Sequence, residues 1–143
     1  MNAEAADLPP RLSLDSGGLL AYLLGEKLGE KAKTILEDEN RRLFLPHTAL
    51  SEAYYVLCRK RSPRYADGVL SLFLEGNYAE MTSSTEIDMV AGKYKCERAI
   101  SLADCYVLAS AKLRNASALF AQKESDLLKE IEKRAFDVEI SFL

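Results

Sequence analysis

Asp15, Glu52, Asp104 and Glu124 are the residues of this chain best suited to do chemistry together. Hard divalent ions such as Mg²⁺ and Mn²⁺ prefer carboxylate and water oxygens. Carboxylates brought close repel one another unless a cation neutralises them. An ion held in such a cluster acidifies a bound water and stabilises charge on a phosphoryl group, so a phosphodiester is a natural substrate and water can be the nucleophile. Taken singly, most of these acids have a plainer role. Asp15 directly precedes a helical pattern and suits an N-cap. Asp104 stands three residues after Ser101, the spacing of a capping box. Glu124 and Asp126 fall in the first turn of a helix, where acids favour the positive end of the dipole. Glu52 is different. It sits among Leu50, Ala53, Tyr54, Tyr55 and Val56, with no further charge before Arg59. A carboxylate in so apolar a setting needs a partner, either a cation or a salt-bridging Arg.

The elements that must position these acids follow from periodicity and punctuation. Arg11–Leu14 predicts a first strand that ends at Asp15. Ser16–Leu24 predicts a helix with Leu19, Leu20 and Leu23 on one face, ended by Gly25. Glu30–Glu39 predicts a second helix and Arg42–Leu45 a second strand, closed by Pro46. Thr48–Lys60 predicts a long helix with Thr48 as its N-cap and Leu50, Ala53, Tyr54 and Leu57 as its apolar stripe. Pro63 fits the first turn of the next helix, which Gly76-Asn77 ends. Tyr78–Met81 predicts a third strand. The run Ser83-Ser84-Thr85-Glu86 predicts a capping box opening a helix through Tyr94. A helix over Ser101–Arg114, a strand over Ser117–Phe120, a helix over Glu124–Arg134 and a closing strand over Asp137–Phe142 complete the pattern. Strands alternating with helices predict an α/β domain with a mainly parallel sheet and helices on both faces. In such sheets, sites form beyond the carboxyl ends of strands, where Asp15 and Gln122-Lys123-Glu124 fall.

Composition narrows the classes. With 143 residues, 48% hydrophobic and 29% charged, the chain reads as one globular domain over 11–143, after an acidic lead-in over 1–10 expected to be disordered. No apolar run approaches the roughly 20 residues needed to span a bilayer. Three scattered cysteines, Cys58, Cys96 and Cys105, predict buried free thiols in a reducing compartment, so the cytoplasm is the expected location. His47 is the sole histidine, which excludes a His-rich zinc site and a two-histidine nuclease. No local signature supports a Cys–His nucleophile pair. Ser16-Gly17-Gly18 lacks the lysine and spacing of a phosphate-binding P-loop. The net charge of −3 gives no global attraction for nucleic acid. Local basic residues must supply it: Arg59, Lys60, Arg61 and Arg64 form the densest cluster, Lys93, Lys95 and Arg98 a second, and Lys123 lies beside the expected site.

The motifs LSLDSGGLLAYLLGE, LPHTALSEAYYVLCR, SLADCYVLASA and ALFAQKESDLL, in that order and spacing, resemble a PIN domain. Specifically, they resemble the VapC-like toxins of prokaryotic toxin–antitoxin pairs. The resemblance covers nearly the whole chain after Pro10. It implies a three-layer α/β/α sandwich, and a Mg²⁺- or Mn²⁺-dependent ribonuclease that hydrolyses RNA by a metal-activated water. Carried over by motif, Asp15, Glu52 and Asp104 match the three core metal-binding acids, and Ser16 matches a hydroxyl residue that orients the site. The family commonly reads Thr-x-Asp after the fourth strand. Here Gln122 replaces the hydroxyl and the longer Glu124 replaces the acid, with Asp126 as the alternative fourth acid.

The resemblance further implies a homodimer and a small antitoxin that covers the acidic rim, often with an Arg among the acids. Tyr65, Leu72 and Phe73 are the residues offered for a dimer interface. The departure at Gln122 and Glu124 keeps two alternatives open: a catalytically weak or inactive PIN-like binding module, and a PIN nuclease of RNA maturation.

Overall fold

A computed structural model describes residues 4–143. Its centre is a five-stranded sheet in the order β3-β2-β1-β4-β5, every pairing parallel. The strands are β1 (Arg11–Leu14), β2 (Arg42–Pro46), β3 (Glu80–Thr82), β4 (Ser117–Phe120) and β5 (Ile140–Phe142). The helices are α1 (Ser16–Leu24), α2 (Gly29–Leu36), α3 (His47–Lys60), α4 (Pro63–Glu75), α5 (Thr85–Glu97), α6 (Leu102–Leu113) and α7 (Ser125–Lys133). The expected three-layer α/β/α architecture is therefore present, and the sheet is wholly parallel.

Alternation along the strands divides the core in two. Leu12, Leu14, Leu43, Leu45 and Leu119 pack with α1–α4. Ala118, Phe120 and Phe142 pack with α5–α7. β1 is the middle strand, paired with β2 on one side and β4 on the other. Helix α6 lies over β2, β1 and β4 and is mostly buried. Its small and polar residues make that approach possible. The Ser13 hydroxyl donates to the Val107 carbonyl at 2.9 Å, and Thr82 and Ser110 share a buried hydroxyl–hydroxyl bond of 2.9 Å. The hydroxyls of Ser13, Thr82 and Ser110 thus each have a partner, as burial requires.

Several boundaries differ from expectation. The second helix stops at Leu36, short of the expected Glu39, because Asp38 turns the chain: it accepts from the Asn40 N–H at 3.0 Å and binds Arg41 Nε at 3.0 Å. Helix α3 starts one residue early, at His47, so Thr48 is not its cap and its hydroxyl is buried without a partner. Ser84 rather than Ser83 caps α5, accepting from the Ile87 N–H at 3.1 Å. The third strand sits at Glu80–Thr82, and the closing strand shortens to Ile140–Phe142. Of the three cysteines expected to be buried, Cys105 is, Cys58 is half-buried, and Cys96 is exposed because it lies off the α5 face that Ile87, Ala91 and Tyr94 bury. Of the lead-in expected to be disordered, residues 1–3 lie outside the described residues. The remainder is packed: Ala5–Asp7 forms a 3-10 turn and Leu8 is buried. Arg41 holds it, donating to the carbonyls of Pro9 at 2.8 Å, Leu8 at 3.2 Å and Ala5.

Arg98 also departs from its expected place on a basic surface. It is buried, its guanidinium stacks 3.8 Å from the Phe136 ring centroid, and it donates to the carbonyls of Glu130, Arg134 and Ala135 at 3.1, 2.7 and 2.9 Å. It therefore satisfies the carboxyl end of α7 and faces buried Glu130 at 3.8 Å. Removing one member of a buried charge pair typically costs about 3–5 kcal/mol. Arg98→Ala is expected to lose stability on that scale in urea unfolding while leaving divalent-ion affinity unchanged. A variant as stable as the parent would show that this anchor is dispensable.

Candidate active site

The strand order reverses between β1 and β4: the chain builds outward to β3 on one side, then crosses to place β4 on the other. Open parallel sheets bind ligands at the carboxyl ends of strands beside such a reversal. Asp15 follows β1 there. Its N–H continues the ladder to the Leu119 carbonyl at 3.3 Å, and its backbone is extended. Its Oδ1 accepts from the Gly18 N–H at 2.9 Å, capping α1. The Ala121 N–H, at the end of β4, approaches Oδ1 at 3.3 Å and Oδ2 at 3.2 Å. Gly17 permits this junction, because a Cβ there would stand 2.8 Å from the Ala121 Cβ.

The other acids come to the same rim from three helices. Glu52, on α3, accepts from the Ser16 hydroxyl at 3.3 Å. Its neighbour is thus a hydroxyl and not the salt-bridging Arg considered above. Asp104 lies in the first turn of α6, and its N–H donates to Ser101 Oγ at 3.1 Å. Glu124 precedes α7 with no side-chain cap bond of its own. All four acids line one cleft of about 600 Å³, with Ser16 and Gln122 among its walls. Among the described residues, no ion pair reaches any of the four.

Electrostatics ties them into one cluster. Burial pushes the Asp15 carboxyl up to about 7; the Gly18 and Ala121 N–H groups oppose this, and repulsion from Asp104 and Glu124 adds to it. Burial likewise raises Asp104 to about 6, reinforced by Glu124 and Glu52 and opposed by a hydrogen bond with Ser101. Glu52 is raised by burial and by Glu124, against the Ser16 bond. Partly buried, mutually repelling oxygen donors are the chemistry a hard divalent cation fits. Among the described residues, however, no group of three or more Asp, Glu, His or Cys side chains is gathered into a finished metal shell.

Not every expected residue joins the cleft. Asp126 is exposed and lines a separate surface hollow with Lys129 and Lys133. Of the basic cluster only Lys60 lines the cleft. Arg59 stacks over Tyr55 at 4.9 Å, Arg61 over Tyr65 at 5.4 Å, and Arg64 is exposed. Lys123 lies 5.9 Å from the Phe142 ring centroid, outside the cleft lining. Lys95 donates to the Ile100 carbonyl at 2.7 Å, so with Arg98 buried the second basic cluster dissolves. Phe73 is buried against Tyr78 and offers no interface, whereas Leu72 is 70% exposed. Two cleft residues escaped sequence reading, Glu26 and Lys27, just after the left-handed Gly25 that ends α1. Nothing local signals that this turn folds back over the site.

Comparison with known proteins agrees with this fold. A family model described as the PIN domain matches residues 13–133. No curated protein matches by sequence. Among solved structures, the chain is similar to VapC20 of Mycobacterium tuberculosis, a toxin that cleaves the sarcin–ricin loop (15% identity, TM-score 0.65, covering 82% of this chain and 93% of that one). It is also similar to DNA-bound VapBC2 of Rickettsia felis (15% identity, TM-score 0.68, covering 92% and 98%). DNA-bound VapBC of Salmonella typhimurium gives 15% identity and a TM-score of 0.68, covering 94% and 98%.

The raised acids predict a pH signature. A carboxyl whose folded pKa exceeds its unfolded value holds a proton that the unfolded chain releases. Stability is then full below about 3.8 and is lost as pH rises through about 6 and about 7. In divalent-free buffer the melting temperature is expected to fall across that window, and Mn²⁺ is expected to restore it at the upper end. A melting temperature flat across the window would argue against buried, repelling acids.

Proposed function

Because the chain belongs to the PIN domain family, we propose that it is a Mg²⁺- or Mn²⁺-dependent endoribonuclease of the VapC type, the toxin of a toxin–antitoxin pair. The observation that carries this reading is the set of four carboxylates at one sheet rim, three of them raised by burial and by one another. A divalent ion, when bound, supplies Lewis-acid stabilisation of phosphoryl charge and an acidified water. Asp15 and Asp104 would be its principal holders, with Glu52 orienting a water and Glu124 completing the set. The chain's own contribution is preorganisation. Asp15 is fixed from two elements by Gly18 and Ala121, so its position is set before substrate arrives. Ser16 restrains the Glu52 carboxylate. Glu124 lacks such a restraint and is the adaptable member.

The expected substrate is an RNA phosphodiester. The expected partner is a small antitoxin that places a cation among the acids, where a guanidinium would pair with carboxylates it finds unpaired. The VapBC assemblies among the structural relatives support that expectation. A homodimer in the cytoplasm is the expected setting. Among the described residues, no helix is long and apolar enough to cross a membrane. A second reading, a PIN-like module with weak or no catalysis, is favoured by one observation, Gln122 and Glu124 at the positions where the family commonly carries a hydroxyl and an aspartate.

Asp15→Asn keeps an acceptor for Gly18 and Ala121 but removes the charge. It is expected to abolish Mn²⁺-dependent cleavage of single-stranded RNA and to be more stable than the parent at about pH 8 without divalent ions. Ser16→Ala is expected to lower the cleavage rate by roughly tenfold. Chelation should silence the parent reversibly. Undiminished cleavage by Asp15→Asn would refute the assignment, and Mn²⁺ binding by calorimetry without any cleavage would favour the non-catalytic module.

A further inference from the structure

The cleft poses a problem for an anionic substrate. Five acids line it, Asp15, Glu26, Glu52, Asp104 and Glu124, against two cations, Lys27 and Lys60. Both lysines come from the carboxyl ends of two helices that touch, α1 and α3: Lys27 follows the α1 cap Gly25, and Lys60 is the last residue of α3. They differ in state. Lys60 Nζ lies 3.9 Å from Glu26 Oε1, with both side chains about half exposed (55% and 51%). Lys27 has no ion pair or hydrogen bond among the described residues and is exposed. An exposed pair of this length is weak and gives way readily to a competing anion.

We propose that Lys27 and Lys60 form the phosphate clamp of the cleft, gripping the RNA backbone beside the acids, and that Glu26 is a stand-in anion that holds Lys60 until a phosphate displaces it. The inference rests on the ribonuclease reading and deepens it. Glu26 and Lys60 are positioning groups with no part in bond cleavage. The pairing directs Lys60 to Glu26, with which it shares its ion pair, and leaves the four acids without one. Because the pair is exposed and long, an arriving phosphate displaces it at little cost.

The test measures binding of a fluorescein-labelled single-stranded RNA 12-mer (roughly the reach of such a channel) in the Asp15→Asn background with Mn²⁺, titrated with salt. Lys27→Gln and Lys60→Gln are each expected to weaken binding roughly three- to tenfold and to flatten the slope of log K against log salt by roughly 0.7, the loss of one single-strand phosphate contact. Glu26→Gln is expected to tighten binding, and that gain is expected to vanish in the Lys60→Gln background. Lys129→Gln, which removes a charge that lines a separate hollow and not the cleft, should change neither quantity. A merely structural bridge would give a different result: Glu26→Gln and Lys60→Gln would lower the melting temperature alike and leave RNA affinity unmoved. That outcome overturns the clamp while parental cleavage stands. A Glu26→Gln gain that persists without Lys60 overturns the stand-in role. Absence of RNA binding and cleavage by the parent overturns the ribonuclease reading and the clamp with it.

Discussion

A single half-buried carboxylate, that of Asp15, sets the geometry of the rim. Asp15 ends the central strand, caps the helix that follows, and accepts from the N–H that ends the neighbouring strand across the reversal of strand order. Burying that charge is costly, and two backbone N–H groups offset only part of the cost. The junction therefore has little freedom. Gly17 must lack a side chain for α1 to begin against Ala121, and β1 must keep its register with β4 for the Ala121 N–H to arrive. The strand, the helix start and the acid form one unit.

The remaining acids are delivered by helices whose own packing fixes them. Ser13, Ser110 and Thr82 pin α6 onto the sheet through buried hydroxyl bonds, which holds its amino end, and Asp104 with it, at the rim. Glu52 rides on α3 with Ala53 and Leu57 buried beside it. The result is a set of negative charges held close by structure that repulsion would otherwise push apart. Clusters that work against stability in this way are characteristic of functional sites. Among the described residues none of the four acids has an ion pair, so their charge is available to a positive guest.

Much of the fold was legible from local chemistry. Leu12 and Leu14 alternate around Ser13, and the same alternation in β4 sends Leu119 to one core and Ala118 and Phe120 to the other. Pro63 does open α4, and Gly25 does end α1 with a positive φ of 63°. The misreadings share a cause. Thr48 has the right type for a cap, but Pro46 ends β2 so close to α3 that the helix begins before it. Glu37 to Glu39 extend a helical pattern, but Asp38 serves the turn that anchors Arg41. Arg98 resembles a surface cation in sequence and instead closes the carboxyl end of a helix more than thirty residues away.

By itself, the sequence determined which residue types stand at the ends of strands and the starts of helices, and so which acids were available to meet. That information is local: periodicity, caps and breakers act over a few residues. Only the tertiary structure decided which of them do meet. It gave Glu52 a hydroxyl neighbour, sent Asp126 to another face, withdrew Arg98 into the core and brought Glu26 and Lys27 to the cleft. Each of those outcomes depends on contacts between residues distant in the chain. Burial and charge repulsion, which shift the acids from their ordinary behaviour, exist only once the chain has closed around them.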